Sequence, residues 1–142
     1  MSNLDEWPTG RLMFTAARLV ENAYNEELAA YGITYAALTI LSVLAVRGAL
    51  SQNQLATDLK VQSQTLGKMV DALVRKGLVT RTRHWRDRRS HLVDITPNGL
   101  NIVEDIAALE EKLEQAGAAR EATLRDHAQM LIRTFDRERY IP

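Results

Sequence analysis

A mainly α fold carrying one small β-wing is what the sequence predicts, and three observations predict it. Apolar residues recur at helical spacing through most of the 142-residue chain, and no apolar run reaches membrane-spanning length. Two β-prone runs, Leu78 to Arg83 and Ser90 to Ile95, enclose a short arginine-rich loop, His84-Trp85-Arg86-Asp87-Arg88-Arg89. Directly before them stand two short helical patterns joined by a tight turn. Helix-turn-helix followed by a β-hairpin is a winged helix. The expected organisation is a single domain, 1–142, with the winged helix at 34–96 and helical regions at 1–31 and 97–142.

Residues 1 to 10 are polar and read as an arm. A helix follows from Arg11 to Tyr31. Leu12, Ala16, Leu19 and Ala23 form one stripe, and Met13, Phe14 and Val20 widen it. A helix apolar over so much of its surface is either deeply buried or shared with a partner. Gly32 breaks it, and Ile33-Thr34 reads as staple and cap for a second helix, Tyr35 to Val46. Leu38, Leu41, Leu44 and Ala45 face inward there.

Ser51 caps the third helix, and Gln54 three residues on completes a capping box. Leu55, Ala56 and Leu59 are its buried face. The fourth helix runs from Gln62 to Lys76, with Leu66, Met69, Val70 and Leu73 on the apolar side. Gly77 stops it where a left-handed residue is commonly needed. After the hairpin, Thr96-Pro97 opens a fifth helix as cap and first-turn proline, with Ile102, Ile106, Leu109 and Leu113 as its stripe. Ala116-Gly117 breaks it. A last helix from Ala118 to Arg137 carries Leu124, Ala128, Leu131 and Phe135.

The polar side of the fourth helix begins Gln62-Ser63-Gln64-Thr65 and continues to Lys68. Such side chains at a helix N-terminus suit the DNA major groove, where base edges present fixed donors and acceptors. Taken alone, the same stretch reads equally as a solvated helix face. It is joined by Arg81 and Arg83 on the approach to the loop and by Arg86, Arg88 and Arg89 within it. Arginine in a wing enters the narrow minor groove or pairs with phosphates. Double-stranded DNA is therefore the expected partner. The alternative is an interaction protein that docks protein or RNA without reading DNA sequence.

These residues resemble a known family. Leu55-Ala56, Leu59-x-Val61, Ser63-x-Thr65, Val70-x-x-Leu73 and Lys76-Gly77-Leu78-Val79 look like the winged helix of the MarR (multiple antibiotic resistance regulator) family. Asp87-x-Arg89, followed after five residues by Ile95-Thr96, resembles its D-x-R-x5-L-T signature, with Ile in place of Leu. The resemblance implies a dimeric transcription regulator, in most cases a repressor bound to a palindromic operator. It implies that Asp87 orients the wing arginines and that Arg89 contacts DNA. It implies that the flanking helices interlock in a two-fold dimer, through Leu12, Leu19, Leu124, Leu131 and Phe135 here. The competing reading is an intramolecular bundle. Family members often bind small aromatic acids or phenols, and Tyr24, Tyr31 and Tyr35 are the residues that could meet such an effector. The alternative is that these tyrosines pack.

Three positions depart from the family pattern. Lys60 occupies the turn where Gly is usual, Gln62 the place of a Ser or Thr cap that Ser63 could take over, and Gly67 the helix interior. The sequence contains no cysteine, which excludes disulfides, thiolate metal sites and peroxide sensing through a thiol. His84, His91 and His127 do not form a ligand pattern, no catalytic motif stands out, and no cofactor is expected. Net charge is zero, but Arg75, Lys76 and the five arginines from 81 to 89 face Asp87 alone, whereas Glu104, Asp105, Glu110, Glu111 and Glu114 crowd the next helix. A basic DNA face on an acidic body is expected. The first twenty residues show no signal-peptide pattern, which points to a cytoplasmic location.

Overall fold

The computed structural model describes residues 3–83, 91–116 and 122–139. Helices α1 (Thr9–Leu28) and α2 (Tyr35–Arg47) lead into strand β1 (Leu50–Ser51). Helices α3 (Gln52–Leu59) and α4 (Ser63–Arg75) follow, then β2 (Val79–Arg83) and β3 (His91–Ile95). Helices α5 (Pro97–Ala116) and α6 (Ala122–Arg139) close the chain. The winged helix expected from the sequence is present, with α3 and α4 as its helix pair.

The core gathers around α2. Leu38, Ile40, Leu41 and Leu44 are buried on it, so this helix is covered on more than one side. Leu55 and Ala56 of α3, Leu66, Val70 and Leu73 of α4, and Leu28, Ile33, Leu50, Leu78, Val79, Val93 and Ile106 join them in the core. Burying a leucine is worth about 1.5–3 kcal/mol. Leu66 and Leu73, at 0% and 1% exposure, therefore fix which side of α4 turns outward.

Local signals act where the sequence placed them. The Ser51 hydroxyl accepts from Gln54 N at 3.1 Å, and Ser51 N donates to Gln54 Oε1 at 3.0 Å, a complete capping box. Thr34 accepts from Ala37 N at 3.3 Å and caps α2. Gly77, at φ 71°, ends α4: Leu78 N donates to Leu73 O and Gly77 N to Val74 O, both at 3.0 Å. That pair of bonds is the Schellman motif.

The α3–α4 turn uses the same device. Val61 N donates to Ala56 O at 3.0 Å and Lys60 N to Thr57 O at 3.3 Å, with Lys60 left-handed at φ 58°. A β-carbon makes that conformation cost roughly 1 kcal/mol. Lys60 Nζ also lies 2.8 Å from Asp136 Oδ2, tying the turn to α6.

The sheet corrects one expectation. Two strands were anticipated, but β1 adds to the edge of β3, giving the antiparallel order β1-β3-β2. Leu50 pairs with Val93, and on the other side Arg81 pairs with Val93 and Val79 with Ile95. Helix α1 begins at Thr9, and Arg11 lies over the Trp7 ring at 3.8 Å, so the arm merges into the helix.

Glycine 99 is a position whose role the sequence does not advertise. A β-carbon there would collide with Leu78 O and sit 2.7 Å from Ile95 Cγ1. Its N–H donates to the Thr96 hydroxyl at 3.2 Å, and that hydroxyl donates to Gly77 O at 2.7 Å. The start of α5 is thus clamped directly onto the turn that ends α4.

Candidate nucleic-acid interface

Helix α4 presents the polar face expected of it. Gln62, Ser63, Gln64, Thr65 and Lys68 are all exposed, while Leu66, Val70 and Leu73 are buried on the opposite side. The first turn has Gln62 at the N-cap and no side-chain cap. Ser63 is the first helical residue and does not take over that role. The backbone N–H groups of this turn are thus left to an outside acceptor, which phosphate oxygens satisfy well.

Strand parity separates the two arginines that approach the wing. Alternate residues share a face, so Arg81 lies on the side of buried Val79, between outward Thr80 and Thr82. Its side chain is 23% exposed, with Nη1 2.6 Å from Asp71 Oδ1 and Nη2 3.2 Å from Gly67 O. Arg81 was expected to face DNA. In the structure its guanidinium is engaged by α4. Arg83, two residues on, is exposed. Arg86, Asp87, Arg88 and Arg89 lie outside the described residues.

Gly67 has room. A β-carbon there would meet Gln52 Nε2 at 3.7 Å, an ordinary contact. The glycine is therefore not demanded by packing within the chain.

The tyrosines divide. Tyr24 and Tyr35 pack ring to ring with centroids 4.4 Å apart, and Tyr35 N donates to Asn25 Oδ1 at 2.7 Å. Burial, then the carboxylates of Glu110 and Glu21, raise the Tyr35 hydroxyl above its usual pKa, so it stays a proton donor at neutral pH. Tyr31 is 40% exposed at the end of the turn after α1. A cavity of about 290 Å³ lies elsewhere, between the start of α2 and the inner side of α4. Ile33, Ala37, Met69, Ala72 and Leu73 make apolar walls, and Lys68 and Lys76 contribute ammonium groups. Sequence reasoning missed this cavity because its two walls are more than 30 residues apart in the chain.

The outer helices carry uncovered apolar surface. On α1, Leu12 is 36% exposed, Leu19 57%, Val20 52% and Phe14 72%. On α6, Phe135 is 61% exposed, and Met130 and Ile132 join it at 53% and 55%. Leu131 is half-buried against its own chain. The side chain of Leu124 lies outside the described residues. Among the described residues, no single helix is long and apolar enough to cross a membrane.

Residues 33–91 match the model of the MarR family. The multiple antibiotic resistance protein MarR of Escherichia coli is 32% identical over 97 residues, covering 68% of this chain and 67% of that protein. The crystal structure of a mutant E. coli MarR with operator DNA superposes with a TM-score of 0.74 at 27% identity, over 92% of this chain and 99% of that one. Bordetella bronchiseptica BpsR, whose DNA binding is regulated by 6-hydroxynicotinic acid, shares the fold at a TM-score of 0.77 and 21% identity, over 96% and 97% of the two chains.

Proposed function

The chain belongs to the MarR family of DNA-binding transcription regulators, and from that premise we propose that it acts as a homodimeric repressor whose α4 helices read a palindromic operator. The observation that carries this is the α4 surface: Gln62, Ser63, Gln64, Thr65 and Lys68 are exposed together at an uncapped helix N-terminus, on a helix locked by Leu66 and Leu73. Gln64 and Thr65 are short enough to hydrogen-bond base edges, and Lys68 and Arg83 suit phosphates. The family signature assigns Arg89 to DNA contact and Asp87 to orienting it, with Arg86 and Arg88 adjacent in sequence. Two copies would set their α4 helices about 34 Å apart, one turn of DNA.

The cavity behind α4 supports release by a small aromatic acid. Its walls are apolar and its cations are Lys68 and Lys76. Lys68 borders both this cavity and the groove-facing surface, so a carboxylate drawn to it would compete with DNA for the same charge. Tyr24 and Tyr35 serve the fold in this reading, holding the α1–α2 junction.

Selection from a random duplex library, followed by anisotropy titration at two salt concentrations, tests the reading. The wild type should recover a two-fold symmetric motif and prefer it over random DNA by about 10³ or more. Gln64→Ala should change the recovered motif. Equal affinity for selected and random duplexes would point instead to a winged helix that docks protein or RNA.

A further inference from the structure

The guanidinium of Arg81 is engaged within the reading head rather than left to solvent. It reaches from β2 to α4 and meets two acceptors one helical turn apart, Gly67 O and Asp71 Oδ1. Gly67 O is an acceptor with two lone pairs, so it receives the arginine beside its helix bond. Arg81 Nε is buried and makes no hydrogen bond among the described residues. A mobile surface arginine would turn that N–H to water; this one is held inward by strand parity beside Val79. Asp71 is exposed one turn beyond Lys68 on the outward side of α4, and Arg81 pairs across the sheet with fully buried Val93.

We propose that Arg81 is a positioning residue for sequence reading: by holding Gly67 and Asp71 it sets the rotation of α4 against the sheet, and hence which bases Gln64 and Thr65 meet. The inference rests on α4 being the reading helix. Its charge is opposed by Asp71, so it adds little to phosphate attraction. Leu66, Val70 and Leu73 fix the side of α4 that meets the core, and Arg81 adds two directional contacts on its flank. Arg81 therefore acts on specificity more than on affinity for DNA in general.

The experiment uses the full chain and the duplex selected by the wild type. Affinities for that duplex, for single-base variants and for random DNA are measured across a salt series. Arg81→Met should reduce discrimination between the selected duplex and random DNA by about tenfold, the scale of one good base contact. Its random-DNA affinity and its slope of log affinity against log salt should match the wild type. Asp71→Asn should reproduce the effect, and the double variant should add little to either. Arg81→Lys, which keeps the charge but reaches one acceptor, should recover discrimination in part. Arg83→Met serves as the contrast: it should weaken both duplexes and lower the slope by about one. The proposal is overturned if Arg81→Met lowers the slope in the same way, making it a phosphate contact. It is equally overturned if discrimination is unchanged in Arg81→Met, or in Asp71→Asn should the methionine variant fail to fold. A wild type with no preferred duplex would instead remove α4 as the reading helix.

Discussion

Helices α1 and α2 are neighbours in sequence and opposites in burial. Helix α2 has 13 residues and buries Leu38, Ile40, Leu41 and Leu44. Helix α1 has 20 residues, all described, and buries Leu28. Its Phe14, Leu19 and Val20 are more than half exposed, as are Met130, Ile132 and Phe135 on α6. Helix α2 is apolar on most sides and is enclosed by the core, whereas α1 is amphipathic and carries a separate apolar stripe. The centre of the chain closes on itself, and the two ends do not. What a single chain leaves uncovered at both ends is the surface that a second copy would cover in the proposed dimer.

The largest expected effect removes that cover. Replacing Ile132 and Phe135 together by glutamate should leave the central core intact, because neither side chain enters it. The dimer should separate, and affinity for the selected duplex should fall by about 100-fold or more as the linkage between two reading heads is lost. Anisotropy titration reads the loss, and circular dichroism checks that the helices remain.

Next in size is a change inside the self-sufficient centre. Gly99→Ala puts a β-carbon against Leu78 O and Ile95, positions held by backbone and sheet. A loss of about 1–3 kcal/mol is expected in denaturant unfolding, as for other overpacked sites. Gly67→Ala is the matched control. Its β-carbon has room beside Gln52, so helix propensity should dominate and stabilise by up to about 1 kcal/mol.

These two glycines mark the limit of what the sequence could say. The capping box at Ser51, the stop at Gly77 and the burial of Leu66, Val70 and Leu73 were legible, because each depends on residues close in the chain. Gly99 shows no local reason in the sequence, since its reason lies in Leu78 O, more than 20 residues away. Strand β1 was invisible because two residues carry no periodicity; it exists because β3 offers an edge. The signal that could have placed Arg81 was present. Strand alternation puts it on the side of Val79. The polar face of α4 was read correctly as exposed, whereas the cavity behind it needed the fold.

The smallest expected effect concerns the join between the two regions. Lys60 adopts the left-handed turn and contacts Asp136 of α6. Lys60→Gly should relieve about 1 kcal/mol of backbone strain and lose a surface ion pair worth about 0–1 kcal/mol. A net gain below 1 kcal/mol is expected in thermal unfolding, and Asp136→Asn alone should lose no more than the ion pair. A clear loss in Lys60→Gly would mean that the tie between turn and α6 matters more than its exposure suggests.

The contrast between a closed centre and open ends is tested most directly by sedimentation equilibrium of the unmodified full chain, without DNA, at micromolar concentration. The account predicts one folded species at twice the chain mass. A folded monomer under those conditions would mean that α1 and α6 need no partner, and the dimeric reading of the operator would fall with it.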